Sequence, residues 1–132
     1  MKNIILMLCV LILKPALAQT DAAISVVKNV DAEEFKKAID AKKGSIIDLR
    51  TDEELKTKGK IKGAIQIDFL GKDAENQIAK LDKTKTYLIY CAGGGRSGQC
   101  AELMTKTGFK DVIHLYKGFD DWKKKGFEIE MK

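Results

Sequence analysis

The chain has 132 residues, a net charge of +5, three cysteines and a single histidine. The length suits one domain, and the modest charge, with no aromatic–basic stripe, argues against a nucleic-acid binder. One histidine and no Cys-x-x-Cys pair exclude a histidine-rich metal site, a zinc-type cysteine pair and a thioredoxin-type motif.

In chain order, Lys2, the apolar run Ile4–Leu13 and the segment Ala16-Leu17-Ala18 come first. A basic start, a short apolar stretch and an A-x-A site predict a secretory signal peptide over 1–18, cut after Ala18. The run is shorter than the ~20 apolar residues that span a bilayer; a retained N-terminal anchor is the alternative reading. Cleavage would remove Lys2, Cys9 and Lys14, leaving Cys91 and Cys100 as the only thiols. Two cysteines do not make a disulfide scaffold: either they pair, or at least one is kept free for chemistry. The expected location is periplasmic or secreted, with no membrane contact after cleavage. Residues 19–24 are expected as a flexible lead and 25–132 as the folded domain.

Asp31 predicts a capped helix over Ala32–Lys42, with Glu34 three residues on as a capping box and Phe35, Ala38 and Ile39 as its apolar face. Ser45–Leu49 reads as a short strand. Thr51 with Glu54 repeats the capping signature and starts a helix ending near Gly59. Ile61–Ile67 reads as one strand interrupted by Gly63, and Ala74–Leu81 as a weaker helix. Thr86–Cys91 is a compact apolar strand whose last residue is the cysteine. A helix is expected from Ser97 to Thr107, a strand at Val112–Tyr116, a short helix at Phe119–Lys125 and an edge strand at Phe127–Met131. Such alternation implies an α/β domain with a mostly parallel sheet covered on both faces. Sites in such sheets lie beyond the carboxyl ends of the strands, where Cys91 falls.

The segment Cys91-Ala92-Gly93-Gly94-Gly95-Arg96-Ser97-Gly98 carries the chemistry. A strand delivers a thiol to the sheet edge, and small residues let the backbone curl behind it. Successive N–H groups in such a turn form an anion-binding concavity. The helix N-terminus adds partial positive charge, and Arg96 a planar fork that can grip oxyanions. These surroundings lower a thiol pKa. His114 would be the only base for a Cys–His pair, but it falls in a strand, so activation by backbone amides fits better. A tight turn around a buried, inert cysteine is the bland reading; three consecutive glycines exceed what a plain turn needs.

This loop resembles the active-site loop of single-domain rhodaneses. Three further segments resemble the family in the right order: Ile46-Ile47-Asp48-Leu49-Arg50, Ile61-Lys62-Gly63-Ala64-Ile65, and Tyr116-Lys117-Gly118-Phe119 with Trp122 and Gly126. Lys60, Lys62 and Lys117 depart from the family's histidine, proline and glycine at those places. The resemblance implies a rhodanese-like five-stranded sheet flanked by helices. It implies a Cys91 thiolate that takes sulfur from a small anionic donor such as thiosulfate and passes it, as a persulfide, to cyanide or a thiol acceptor. Ala92, Gly93, Gly94, Gly95, Arg96 and Ser97 would bind the donor, with Arg96 orienting it or supporting the loop. No cofactor and no metal are implied, and a monomer is expected.

The loop places four residues between Cys91 and Arg96, whereas cysteine phosphatases, including those of rhodanese-like fold, resemble C-x5-R; a phosphatase is therefore disfavoured. A non-catalytic partner-binding module is the other alternative, and an intact Cys91 and Arg96 speak against it. Cys100, with Leu103, Met104 and Thr107, follows helical spacing and reads as a core residue, a resolving thiol being the sharper alternative. Asp48 and Arg50 are expected to hold loops near the site by charge pairing. Lys56, Lys58, Lys60 and Lys62 form either a solvated face or an anion-steering rim.

Overall fold

A computed structural model describes residues 26–132. The leader and lead expected over 1–24 lie outside the described residues. In chain order the elements are β1 (Val27–Val30), α1 (Ala32–Asp40), β2 (Ser45–Asp48), α2 (Asp52–Lys58), β3 (Lys60–Ile61), β4 (Ile65–Gln66), α3 (Ala74–Ala79), β5 (Thr86–Tyr90), α4 (Gly95–Lys106), β6 (Asp111–Leu115), α5 (Gly118–Lys124) and β7 (Ile129–Glu130).

Two-residue alternation along the strands builds two apolar layers. Ile46, Leu88, Tyr90, Ile113 and Leu115 face α1 and α5, packing against Phe35, Ala38, Phe119 and Trp122. Ile47, Ile89, Cys91 and Val112 face the other way, onto Ile78 of α3 and Cys100, Ala101 and Met104 of α4. Five parallel strands run in the order β1-β6-β5-β2-β4. The central strand is β5, so its end at Cys91 is flanked by strands on both sides.

Three features differ from expectation. β1 was not foreseen as a strand; it pairs with β6 at one edge, Asn29 opposite His114. The single strand expected over Ile61–Ile67 is two. β3 pairs with β7 in a separate antiparallel ladder, while β4 joins β2 in the main sheet. Gly63, at φ +84°, turns the chain between them. The buried stripe of α4 runs through Ser97, Cys100, Ala101 and Met104, one turn earlier than expected, and Thr107 is exposed.

Both predicted N-caps form, but only the second closes as the full capping box expected of each. Asp31 accepts from the Glu34 N–H at 2.9 Å. The Thr51 hydroxyl accepts from the Glu54 N–H while the Glu54 carboxylate accepts from the Thr51 N–H, a complete capping box.

Candidate active site

Cys91 directly follows β5, and the chain turns within four residues into α4. The turn hinges on Gly94, whose φ of +103° suits glycine. A Cβ there would also overlap the Tyr116 carbonyl oxygen, so the loop lies directly against the end of β6. Gly93 and Gly95 have open space where a Cβ would stand, so of the three glycines only Gly94 is demanded by the fold. From the other side, α5 clamps the loop: Phe119 N–H donates to the Cys91 carbonyl at 2.8 Å and Asp120 N–H to that of Ala92 at 3.1 Å. Gly118, at φ +74°, passes so close that a Cβ would collide with the Ala92 carbonyl. Lys117 has an ordinary φ of −91°, which explains why a lysine is accepted where the resembling family carries the first glycine of its late pair.

Cys91 is buried, 1 % exposed. Its Sγ receives the Gly94 N–H at 3.1 Å and lies 3.3 Å from the Ser97 Oγ. Burial pushes the thiol pKa up, but the Ser97 hydroxyl and the amides of Ser97, Gly94 and Gly93 outweigh it, and the net result is a lowered pKa. Donors aimed at a buried sulfur favour the thiolate over the thiol: the Gly94 amide is one, and the Ser97 hydroxyl is another whenever its hydrogen is turned to Cys91. Cys100 is the opposite case: burial, with the nearby Cys91 charge adding to it, pushes its thiol up to about 12. Both cysteines are free thiols.

Two of the residues expected to bind a donor make contacts of their own within the fold. Ser97 is fully buried; because it opens the core stripe of α4, its hydroxyl points inward to Cys91 and His114 instead of outward to the loop mouth. The Arg96 fork is taken by Glu54, with two bonds of 2.8 Å. This pair ties the first turn of α4 to the capping box of α2. It holds the Glu54 carboxyl down at about 2, the Arg96 bonds being the largest cause, ahead of opposing burial and the Thr51 bonds. The structure thus gives Arg96 a loop-supporting contact.

His114, set aside in the sequence because it falls in a strand, proves to be linked to Cys91 through Ser97. β6 points it to the same sheet face as Cys91, and its Nε2 lies 2.6 Å from the Ser97 Oγ. Its Nδ1 lies 2.8 Å from the Asn29 Oδ1 on β1. The available signals were the alternation of Val112 and His114 and the spacing of Ser97, Ala101 and Met104; the pairing of β1 with β6 was not visible.

Asp48 and Arg50 form the platform beside the loop. Arg50 binds both Asp48 oxygens, at 3.0 and 2.8 Å, and the Gly59 carbonyl at 2.7 Å. Its guanidinium stacks 4.0 Å above the Phe119 ring. The Tyr90 hydroxyl donates to Asp48 and accepts from the Ile61 N–H. Most of the basic run is paired: Lys56 with Asp52, Lys60 with Glu130 and Lys62 with Glu128. Lys60 also donates to the Ala64 carbonyl at 2.8 Å, so it braces the β3–β4 turn.

The fold and site together define a parallel α/β domain with a buried free thiol set among loop amides at the end of its central strand. The Rhodanese-like domain family matches residues 31–125, and the chain belongs to that family. It is 34% identical over 99 residues to the "Putative sulfur carrier protein YrkF" of Bacillus subtilis, covering 74% of this chain and 52% of that protein. It is 43% identical over 44 residues to the thiosulfate sulfurtransferase GlpE of Coxiella burnetii, covering 33% of this chain and 41% of that one. The chain thus spans about half the length of such curated relatives, or less. Among solved structures, a rhodanese-like domain protein of Staphylococcus aureus superposes with a TM-score of 0.66 at 31% identity, over 80% of this chain and 98% of that one. A Rhodopseudomonas palustris protein described as a possible tyrosine phosphatase gives 0.67 at 28%, over 83% and 89%.

Proposed function

We propose that this protein is a thiosulfate sulfurtransferase that carries sulfur as a persulfide on Cys91. The observation that carries this reading is the buried Sγ, ringed by the Gly94 amide and the Ser97 hydroxyl, with its pKa lowered despite burial. The Cys91 thiolate attacks the outer sulfur of thiosulfate; a new S–S bond forms, the donor's S–S bond breaks, and sulfite leaves with the electron pair. Cyanide or a thiolate then attacks the terminal sulfur, and Cys91 departs as the thiolate. The covalent intermediate requires ping-pong kinetics. The loop amides stabilise the charged sulfur in both half-reactions, as an oxyanion hole does for oxygen.

A phosphatase is the second reading, since one structural neighbour is described in those terms. The loop speaks against it: four residues separate Cys91 from Arg96, and the Arg96 fork that would grip a phosphate is engaged by Glu54. A partner-binding module without catalysis would have no use for a tuned thiol. The test is thiocyanate formation from thiosulfate and cyanide alongside hydrolysis of an aryl phosphate. Phosphatase turnover without thiocyanate would overturn the assignment.

The same proposal includes export. Residues 1–18 would be removed after Ala18, and the mature, monomeric protein would act in the periplasm or outside the cell on small anionic donors and thiophilic acceptors.

A further inference from the structure

Cys91, Ser97, His114 and Asn29 lie in one unbroken line of polar contacts, at 3.3, 2.6 and 2.8 Å, drawn from β5, α4, β6 and β1. Nothing in the persulfide cycle requires the last two. Ser97 and His114 are buried, and a polar network in such a place is costly unless each member is satisfied. Its hydrogen inventory is restrictive. The Asn29 Oδ1 only accepts, so the His114 Nδ1 carries the ring hydrogen. Nε2 is then a bare acceptor, and the nearest donor is the Ser97 hydroxyl. A serine has one hydrogen, and here it is spent on His114. While His114 is neutral, the Ser97 Oγ can offer the Cys91 sulfur only a lone pair, which suits a thiol and not a thiolate.

We propose that Ser97 and His114 form a proton relay that takes the thiol hydrogen of Cys91 and stores it on the imidazole. The S–H bond breaks as the proton moves to the Ser97 Oγ, and the original Ser97 hydrogen moves to the His114 Nε2. No net charge is created. The thiolate now receives a hydrogen bond from Ser97, and the imidazolium donates at both nitrogens, to Ser97 and to Asn29. Ser97 touches the reacting sulfur and is a catalytic residue; His114 and Asn29 act through it and are positioning residues. This rests on the reading of Cys91 as a nucleophile, but not on what it attacks.

The surroundings set the resting state of the ring. Burial lowers the His114 pKa, so the resting ring is neutral with Nε2 open to accept from Ser97; the proton is held there only opposite the Cys91 thiolate. The groups facing it are Cys91 from β5, through Ser97, and Glu102 and Tyr116, which with Asn29, Gly98 and Thr105 line an open groove of about 490 Å³ beside the ring. Glu102 is the one carboxylate among these lining residues. The groove gives the stored proton a way out beside the ring.

The chain has one histidine, so an untagged, full-length preparation reports a single imidazole by nitrogen–proton correlation NMR. The relay requires the Nδ1–H tautomer near neutral pH; the Nε2–H tautomer would overturn it, because Ser97 would then be free to serve the thiolate alone. The second arm is the pH profile of Cys91 alkylation by iodoacetamide, read by peptide mass. Ser97→Ala and His114→Gln should each slow alkylation at neutral pH by about tenfold, a shift of about one pH unit in the thiol titration. The double variant should be no slower than either single one. Asn29→Asp should move the inflexion to lower pH, since a carboxylate at Nδ1 makes the ring a better proton acceptor. Profiles of folded His114→Gln and Asn29→Asp that superpose on the wild type would refute the relay; a purely structural role would lower the melting temperature and leave the inflexion in place. Should His114→Gln not fold, Asn29→Asp and the tautomer still decide. Persulfide formation, measured separately by intact mass, tests the sulfurtransferase reading and not this one.

Discussion

At the residue scale, the two thiols differ because one meets donors and the other only apolar side chains. Cys91→Ser should abolish thiocyanate formation, since a serine alkoxide is far less accessible than a thiolate. Cys100→Ala should keep most activity and cost about 1 kcal/mol, the scale for deleting a small buried group; turnover and a denaturant melt check both. Loss of turnover in a folded Cys100→Ala protein would revive a resolving role for that thiol. The placement of Cys91 at a strand end, the glycine hinge and the core setting of Cys100 were legible in the sequence because each depends on neighbours along the chain. His114 was not legible as a partner. Its role depends on which strand lies beside β6, and local pattern says nothing about that.

At the element scale, the loop is held between α2 and α5. Arg96 and Glu54 are each about one-fifth exposed, and the two Arg96 terminal nitrogens donate to the two Glu54 oxygens. Arg96→Ala and Glu54→Gln should therefore be non-additive, with a coupling of about 1 kcal/mol in a double-mutant cycle. The pH sense follows from the carboxyl. Its pKa is depressed from 4.5 to about 2, so the pair's contribution is fully present above pH 4.5 and is lost as the pH falls toward 2. Melting temperatures of wild type and Glu54→Gln should thus converge in acid; a gap that stays constant through that window would contradict the assignment. On the other side, Gly118→Ala forces both a strained φ and a clash with Ala92, which should cost about 1–3 kcal/mol and most of the activity, read by melting and thiocyanate assay. Gly93→Ala, which meets open space, should fold normally. The strand pattern was legible where strands are long and apolar. It failed at β1, which is short and carries Lys28 and Asn29 on exposed positions, and at the two-residue strands β3 and β4, whose identity comes only from what they pair with.

At the scale of the whole molecule, alternating helices and strands were enough to indicate a parallel sheet covered on both faces, since βαβ crossovers place helices there. Which strand would be central was not readable, because the order β1-β6-β5-β2-β4 is a long-range property. Export belongs to this scale as well. The proposed cleavage after Ala18 predicts a mature protein that begins at Gln19 and is found in a periplasmic or secreted fraction. Peptide mapping that recovers Lys2–Lys14 in the soluble mature protein would contradict it.

The most direct test of the central claim is the intact mass of the protein after incubation with thiosulfate and removal of small molecules. The wild type should gain one sulfur atom, mapped by peptide mass to Cys91 and lost on addition of cyanide, while Cys91→Ser gains none. An unchanged wild-type mass, or a sulfur gained by the Cys91→Ser protein, would contradict the account.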